Sequence, residues 1–349
     1  MLRPSHRLAL AFVATLAACT ADRRDTADAE PKQSASAAEA THPMASFARF
    51  VGGEWNLRLA SGEVGAFAWH FGPGRFSLRR MTHASDAFPN SFEGEILYWH
   101  PGLREVRFLS MHGDIPAVGR GVAEGSIRFE GESTLAGGDL YQPRGPRQLG
   151  QRQVFEGPDK YHEVLLEDTG AGLRPLAEWD FFRVPARTVA PPRTAQRSPI
   201  RLPERFRAFE ALVDGTWEVD GKDGGRMRSR FEWVPALEVV FVRITAVNAG
   251  GDDTQVFEAY VYHHLGADVL RCLALSDRGS VHEGDVTVLE QGGLQLDLKG
   301  YEGDRVVSRV VRFDVEQGGS LRTRVWSLAS GARTLALDVL HEKLELQTD

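Results

Sequence analysis

The chain reads as all-β: two tandem antiparallel β-barrels, each opened by a short helix. Three observations lead there. The first is a repeat of domain length. Phe47-Ala-Arg-Phe50-Val-Gly-Gly53-Glu-Trp55 returns as Phe209-Glu-Ala-Leu212-Val-Asp-Gly215-Thr-Trp217. Phe67-Ala-Trp69 answers to Phe231-Glu-Trp233, and Tyr98-Trp99-His100 to Tyr262-His263-His264. A repeat this long means two copies of one fold, not a solenoid of short units. The second is alternation. Met227, Ser229, Phe231 and Trp233 fall on one face of a strand, with Arg226, Arg228, Arg230 and Glu232 on the other. Period two is the signature of a strand with one buried and one wet face. The third is spacing. Gly-rich turns at Gly72-Pro73-Gly74, Gly137-Gly138, Gly250-Gly251, Gly292-Gly293 and Gly318-Gly319 punctuate the strands as in a meander of hairpins.

The elements follow in order. Residues 1–18 are a targeting signal: Arg3 and Arg7 precede an apolar run, Leu8 to Ala18, too short for a stable membrane span. Residues 19–43 carry almost no large apolar side chain and read as a disordered tether. The first barrel is expected over 44–184, a Pro-rich linker over 185–203, and the second barrel over 204–346. About 305 residues remain after the signal and tether, too many for one compact core. The linker has five prolines and no alternation.

In the first copy, Phe92–Trp99, Glu105–Leu109 and Tyr161–Leu166 read as strands, and Gly131–Gly150 as a loop, a lid or an ornament. In the second, Leu294, Leu296 and Leu298 share a face, as do Val307, Arg309, Val311, Phe313 and Val315. Helical spacing occurs just before each Gly-x-Trp, at Phe47/Phe50/Val51 and Phe206/Phe209/Leu212/Val213. A meander of about eight strands removes its edges by closing, and a barrel of that size is filled or holds one small ligand.

A short apolar helix, Gly53-Glu54-Trp55 or Gly215-Thr216-Trp217 opening the first strand, and a meander behind it resemble the calycin superfamily of lipocalins and fatty-acid-binding proteins. The fuller pattern is most similar to uncharacterised bacterial calycin-like domains. The resemblance implies that Trp55 and Trp217 plug the closed ends of the barrels. It also implies a cationic cover over each indole from the last strand, for which Arg183 and His341 fall at matching places. Leu16-Ala17-Ala18-Cys19 resembles a bacterial lipobox. It implies lipidation at Cys19 and a membrane partner through the acylated N-terminus. The location implied is the cell envelope, and the outer membrane if the host is Gram-negative.

Net charge is −7 with no basic cluster, which excludes nucleic acid as a partner. With Cys19 lipidated, Cys272 has no intramolecular partner and reads as a small buried apolar residue. No metal motif is present: adjacent His263 and His264 point to opposite faces of a strand, and there is no His-Glu-x-x-His. No Gly-x-Ser-x-Gly and no paired acid and base stand out, so no catalytic residue is assigned.

Five residues are ligand-binding candidates. Arg309 has apolar neighbours on its face and must meet a carboxylate of ligand or protein, Glu258 being one such partner. Glu93 and Glu258 repeat in the two copies and face either a lumen or solvent. His100 and His264 also repeat, marking a barrel mouth or a turn. The functional expectation is non-catalytic binding of a small hydrophobic or amphipathic ligand, with no cofactor. Three alternatives stand beside it. One is an enzyme on a hydrophobic substrate, since tandem lipocalin-like domains resemble some carotenoid hydratases. Another is haem held by His341 in a nitrobindin-like second domain. The last is an interaction scaffold with filled barrels.

Overall fold

A computed structural model describes residues 42–58, 64–82, 93–115, 118–185, 201–213, 215–221, 224–235 and 237–344. The signal, Cys19, nearly all of the tether and most of the linker lie outside the described residues. The chain divides into two compact units, each built on one antiparallel sheet.

In the first unit a 3-10 helix, Ala45–Phe50, leads into strands β1 (Glu54–Arg58), β2 (Val64–Phe67), β3 (Trp69–Phe71), β4 (Ser77–Thr82), β5 (Glu93–His100) and β6 (Glu105–Ile115). They are followed by β7 (Gly119–Glu130), β8 (Ser133–Gln142), β9 (Gly145–Phe155), β10 (Lys160–Asp168) and β11 (Leu173–Val184). The sheet order is β2-β1-β11-β10-β9-β8-β7-β6-β5-β4-β3. Its two ends, β2 and β3, are consecutive in the chain and separated only by Ala68, so the ring is nearly closed.

In the second unit a 3-10 helix, Glu204–Phe209, precedes β12 (Thr216–Asp220), β13 (Arg226–Val234), β14 (Val239–Val247), β15 (Asp253–His264) and β16 (Val269–Ser276). Then come β17 (Val281–Val288), β18 (Leu294–Glu302), β19 (Arg305–Val315), β20 (Leu321–Ala329) and β21 (Ala332–Lys343). These strands form a closed barrel, with β12 pairing both β13 and β21. The closed ring has ten strands, not the eight expected. The helical spacing ahead of each Gly-x-Trp folds as 3-10 rather than α.

Gly137-Gly138 is not a turn, and Gly131–Gly150 is not a loop. The segment forms most of the β8–β9 hairpin, and Gly138 pairs with Gly125 of β7. A Cβ on Gly138 would stand 2.2 Å from the Glu124 carbonyl oxygen, so two strands meet here at a distance that only glycine permits. The second barrel does the same at Gly284, where a Cβ would stand 1.9 Å from the Asp297 carbonyl oxygen.

Each barrel is stoppered at one end by its Gly-x-Trp tryptophan, and both indoles are buried. Trp55 Nε1 donates to the Phe50 carbonyl at 2.7 Å, tying the indole to the 3-10 helix. The Arg183 guanidinium lies 4.4 Å from the Trp55 ring centroid and donates to the carbonyls of Val51 and Pro158 at 2.7 and 3.1 Å. It also donates to the carbonyls of Gly52 and Arg49. A cation over an indole face is attracted by the ring quadrupole. In the second barrel the equivalent residue is Lys343, not His341. Trp55 pairs with Arg183 and Trp217 pairs with Lys343, whose Nζ lies 5.4 Å from the indole. Register places His341 where the first barrel has Phe181.

Candidate functional site

The inner face of the second barrel follows from its ladder. Phe231, Val242 and Ala259 pair across β13, β14 and β15. Cys272 pairs with Gly284, Gly284 with Leu298, and Leu296 with Val311. Directly paired residues share a face, so this set points inward. Large side chains crowd the stoppered end. Beyond them the inward positions turn small: Ala259, Cys272, Ala274 and Gly284. The result is a cavity of about 50 Å³ with a wholly apolar lining that includes Phe209, Phe231, Cys272, Leu298 and Phe313. Burial pushes the Cys272 thiol up to about 12, so the sulfur serves as apolar lining and not as a nucleophile.

One step towards the opposite end, the lining becomes polar. His282 pairs with Ala274 and with Gly300, while Arg309 pairs with Leu298. Gly300 is the notch that admits the imidazole: a Cβ there would lie 2.4 Å from His282 Nδ1. Arg309 is 2 % exposed and His282 0 %. The Arg309 guanidinium donates from Nη2 to Glu302 Oε1 at 2.5 Å, in a pair whose side chains are 2 % and 5 % exposed. Nε and Nη1 of Arg309 and both ring nitrogens of His282 find no hydrogen-bond partner among the described residues. Burial, together with the charge of Arg309, holds the His282 pKa down at about 3, so the imidazole is neutral.

The first barrel is built differently inside. Aromatic rings fill its stoppered end, with Phe50, Phe155, Tyr161 and Phe181 in mutual contact. Above them its inward polar groups are joined to one another. Arg80 and Glu95 form a buried ion pair at 2.8 Å. Thr134 donates to Gln153, and Gln153 to Glu163, each at 2.7 Å.

No known protein family matches the chain, and no curated protein matches it. Among solved structures, the crystal structure of a Nitrosomonas europaea protein, provisionally named AttH, is similar at 8 % identity. The alignment covers 90 % of this chain and 98 % of that one with a TM-score of 0.16. At that score the likeness adds nothing to a fold read from the strands themselves.

The candidate residues are placed as follows. Arg309 points inward, and its carboxylate partner is Glu302, across the β18–β19 hairpin. Glu258 does not join it. Phe257 and Ala259 line the cavity, so Glu258 lies on the outer face of β15, where Gln255 Nε2 donates to it at 3.1 Å. Glu93 opens β5, and its side chain lies outside what the structure describes. His100 and His264 build identical turns. The Leu103 amide donates to His100 Nδ1 at 3.1 Å, and the Ala267 amide to His264 Nδ1 at 3.0 Å. Each turn is completed by a residue at positive φ, Arg104 or Asp268.

Haem does not fit His341. The residue is buried near the stoppered end, pairs with Leu321, and does not line the cavity. The cavity is also far below the roughly 300–1,000 Å³ of pockets that hold drug-sized ligands. His282 was missed by sequence reasoning. The signal available was a histidine in an alternating strand beside inward-facing glycines, but which glycine faces it is a matter of cross-strand pairing.

Proposed function

We propose that this is a lipid-anchored envelope protein whose second barrel binds a small hydrophobic or amphipathic molecule without transforming it. The observation that carries the reading is the wholly apolar cavity inside the closed barrel, where Ala259, Cys272 and Ala274 leave room between Phe231, Phe257 and Phe313. Dry apolar cavities bind small apolar molecules because filling them restores dispersion contacts at little desolvation cost. At about 50 Å³ the space takes a group of only a few atoms. A longer ligand requires Phe231 or Phe313 to swing aside. The first barrel, with its inward ion pair and hydrogen-bond chain, acts as a scaffold in this reading. No acid–base pair lines the cavity, which favours a carrier or sensor over an enzyme on a hydrophobic substrate.

The anchor rests on the lipobox-like Leu16-Ala17-Ala18-Cys19 and is tested by Cys19→Ser. That variant is expected to leave the membrane fraction, and its retention there would remove the anchor. The binding reading is tested by native mass spectrometry of the chain purified gently from its own host's envelope. A stoichiometric added mass, lost in Ala274→Leu, is the expected result. A bare polypeptide mass that no apolar compound raises would overturn it and favour filled barrels.

A further inference from the structure

Resting on the reading of the second barrel as a binding lumen, the geometry points to a ligand whose polar end is an uncharged oxygen acceptor, a ketone, aldehyde, ester or alcohol, and not a carboxylate. The charges and donors of the layer formed by His282, Glu302 and Arg309 select such a ligand. An inward arginine on an apolar strand face suggests an acid as its ligand. Here the charge of Arg309 is already matched. Glu302 Oε1 sits 2.5 Å from Nη2, and both side chains are almost fully buried. The His282 imidazole adds no charge at any physiological pH. Arg305 also reaches Glu302, 3.8 Å from Oε2, but its side chain is half exposed and screened by solvent, so the buried layer of His282, Glu302 and Arg309 is neutral as it stands.

A ligand carboxylate entering it would leave one uncompensated negative charge in a water-excluded interior, where desolvation of an ion is most costly. What the layer still offers is hydrogen bonding. Arg309 has Nε–H and Nη1–H without acceptors among the described residues. A neutral imidazole carries one N–H and one lone pair, and both ring nitrogens of His282 are unpartnered there. A carbonyl oxygen accepts two of these donors, and a hydroxyl can accept one and donate to the imidazole lone pair. The apolar cavity lies directly below, since Leu298 and Ala274 pair with Arg309 and His282 and also line it. The cavity wall itself is wholly apolar and excludes both side chains, so a ligand oxygen that meets them extends one step beyond the present cavity.

The test uses the soluble form beginning after Cys19 and four probes of similar size: cyclopentane, 2-pentanone, 1-pentanol and pentanoate. Affinities are read at pH 8 by saturation-transfer NMR and by thermal shift. The ketone and the alcohol are expected to bind at least tenfold more tightly than pentanoate, and more tightly than cyclopentane. In Arg309→Met/Glu302→Leu, which removes both charges together, the ketone and alcohol should fall to the level of cyclopentane. In Glu302→Gln, which leaves the arginine uncompensated, the order should reverse in favour of pentanoate. Pentanoate binding the wild type as tightly as the ketone would overturn the inference. So would cyclopentane matching the ketone, with the lumen reading left standing. If no probe binds, cyclopentane included, the lumen reading itself falls.

Discussion

Trp217→Ala is expected to unfold the second barrel. Trp217 is 1 % exposed and belongs to the cluster formed by Phe206, Phe209, Phe231 and Leu337. Truncating a buried tryptophan to alanine typically costs about 3–5 kcal/mol, from lost transfer energy plus the cavity left behind. A domain is stable by only about 5–15 kcal/mol in all. The site is poorly placed to relax. Gly215 lies so close that a Cβ there would stand 2.7 Å from Trp217 Nε1, so the chain already sits against the indole. β12 is also the strand that closes the ring, through two residue pairs with β21. Hydrogen exchange resolved along the chain checks this. Protection should be lost over Thr216–Lys343 and kept over Glu54–Val184. Wild-type protection in the second barrel would mean that Trp217 is not its stopper.

The second barrel is also expected to be acid-labile, through two buried histidines. His282 is held down at about 3 by burial and by Arg309, and His341 at about 4 by burial. An unfolded histidine titrates near 6.5. Between pH 6.5 and pH 4 the unfolded chain therefore takes up protons that the native barrel refuses, and stability falls as pH falls. Each histidine contributes about 1.4 kcal/mol per pH unit in that window, or about 2 kcal/mol by pH 5. Above pH 7 neither has an effect. His282→Asn/His341→Phe removes both, the phenylalanine copying Phe181 of the first barrel. Urea unfolding at pH 7.5 and pH 5 should show the wild type losing about 4 kcal/mol more than the double variant. Parallel losses in the two proteins would show that the histidines are not the acid-sensitive groups.

Some of this was legible along the chain. The inward set Ser229, Phe231 and Trp233 reads directly from alternation, as do Leu294, Leu296 and Leu298. So does the inward direction of Arg309, because Val307 and Val311 flank it at strand spacing. Glu258 was not legible in the same way. Val256-Phe257-Glu258-Ala259-Tyr260-Val261-Tyr262 is nearly apolar throughout, and such a run gives no parity to read. The glycines misled for a related reason. Gly137-Gly138 has the composition of a turn, yet its role is close approach to β7, which only a neighbouring strand can reveal.

Two further points turned on register. Arg183 and His341 fall at matching places along the two domain ends, but the closing ladder places Lys343 over Trp217 and His341 two residues further in. The pairing of Arg309 with Glu302, and the seat of His282 over Gly300, depend on three strands meeting in one register.

The sequence by itself determined the class of the fold, its duplication, the alternating inner faces and the two tryptophan stoppers. These are local properties: a two-residue period and a repeated motif are written into any stretch of chain. The tertiary structure decided that one sheet has eleven strands and the other ten, that a cavity lies inside the second barrel, and that an arginine, a glutamate and a histidine share one buried layer. Those are properties of cross-strand pairing, and a slip of one residue would send each of these side chains to the opposite face.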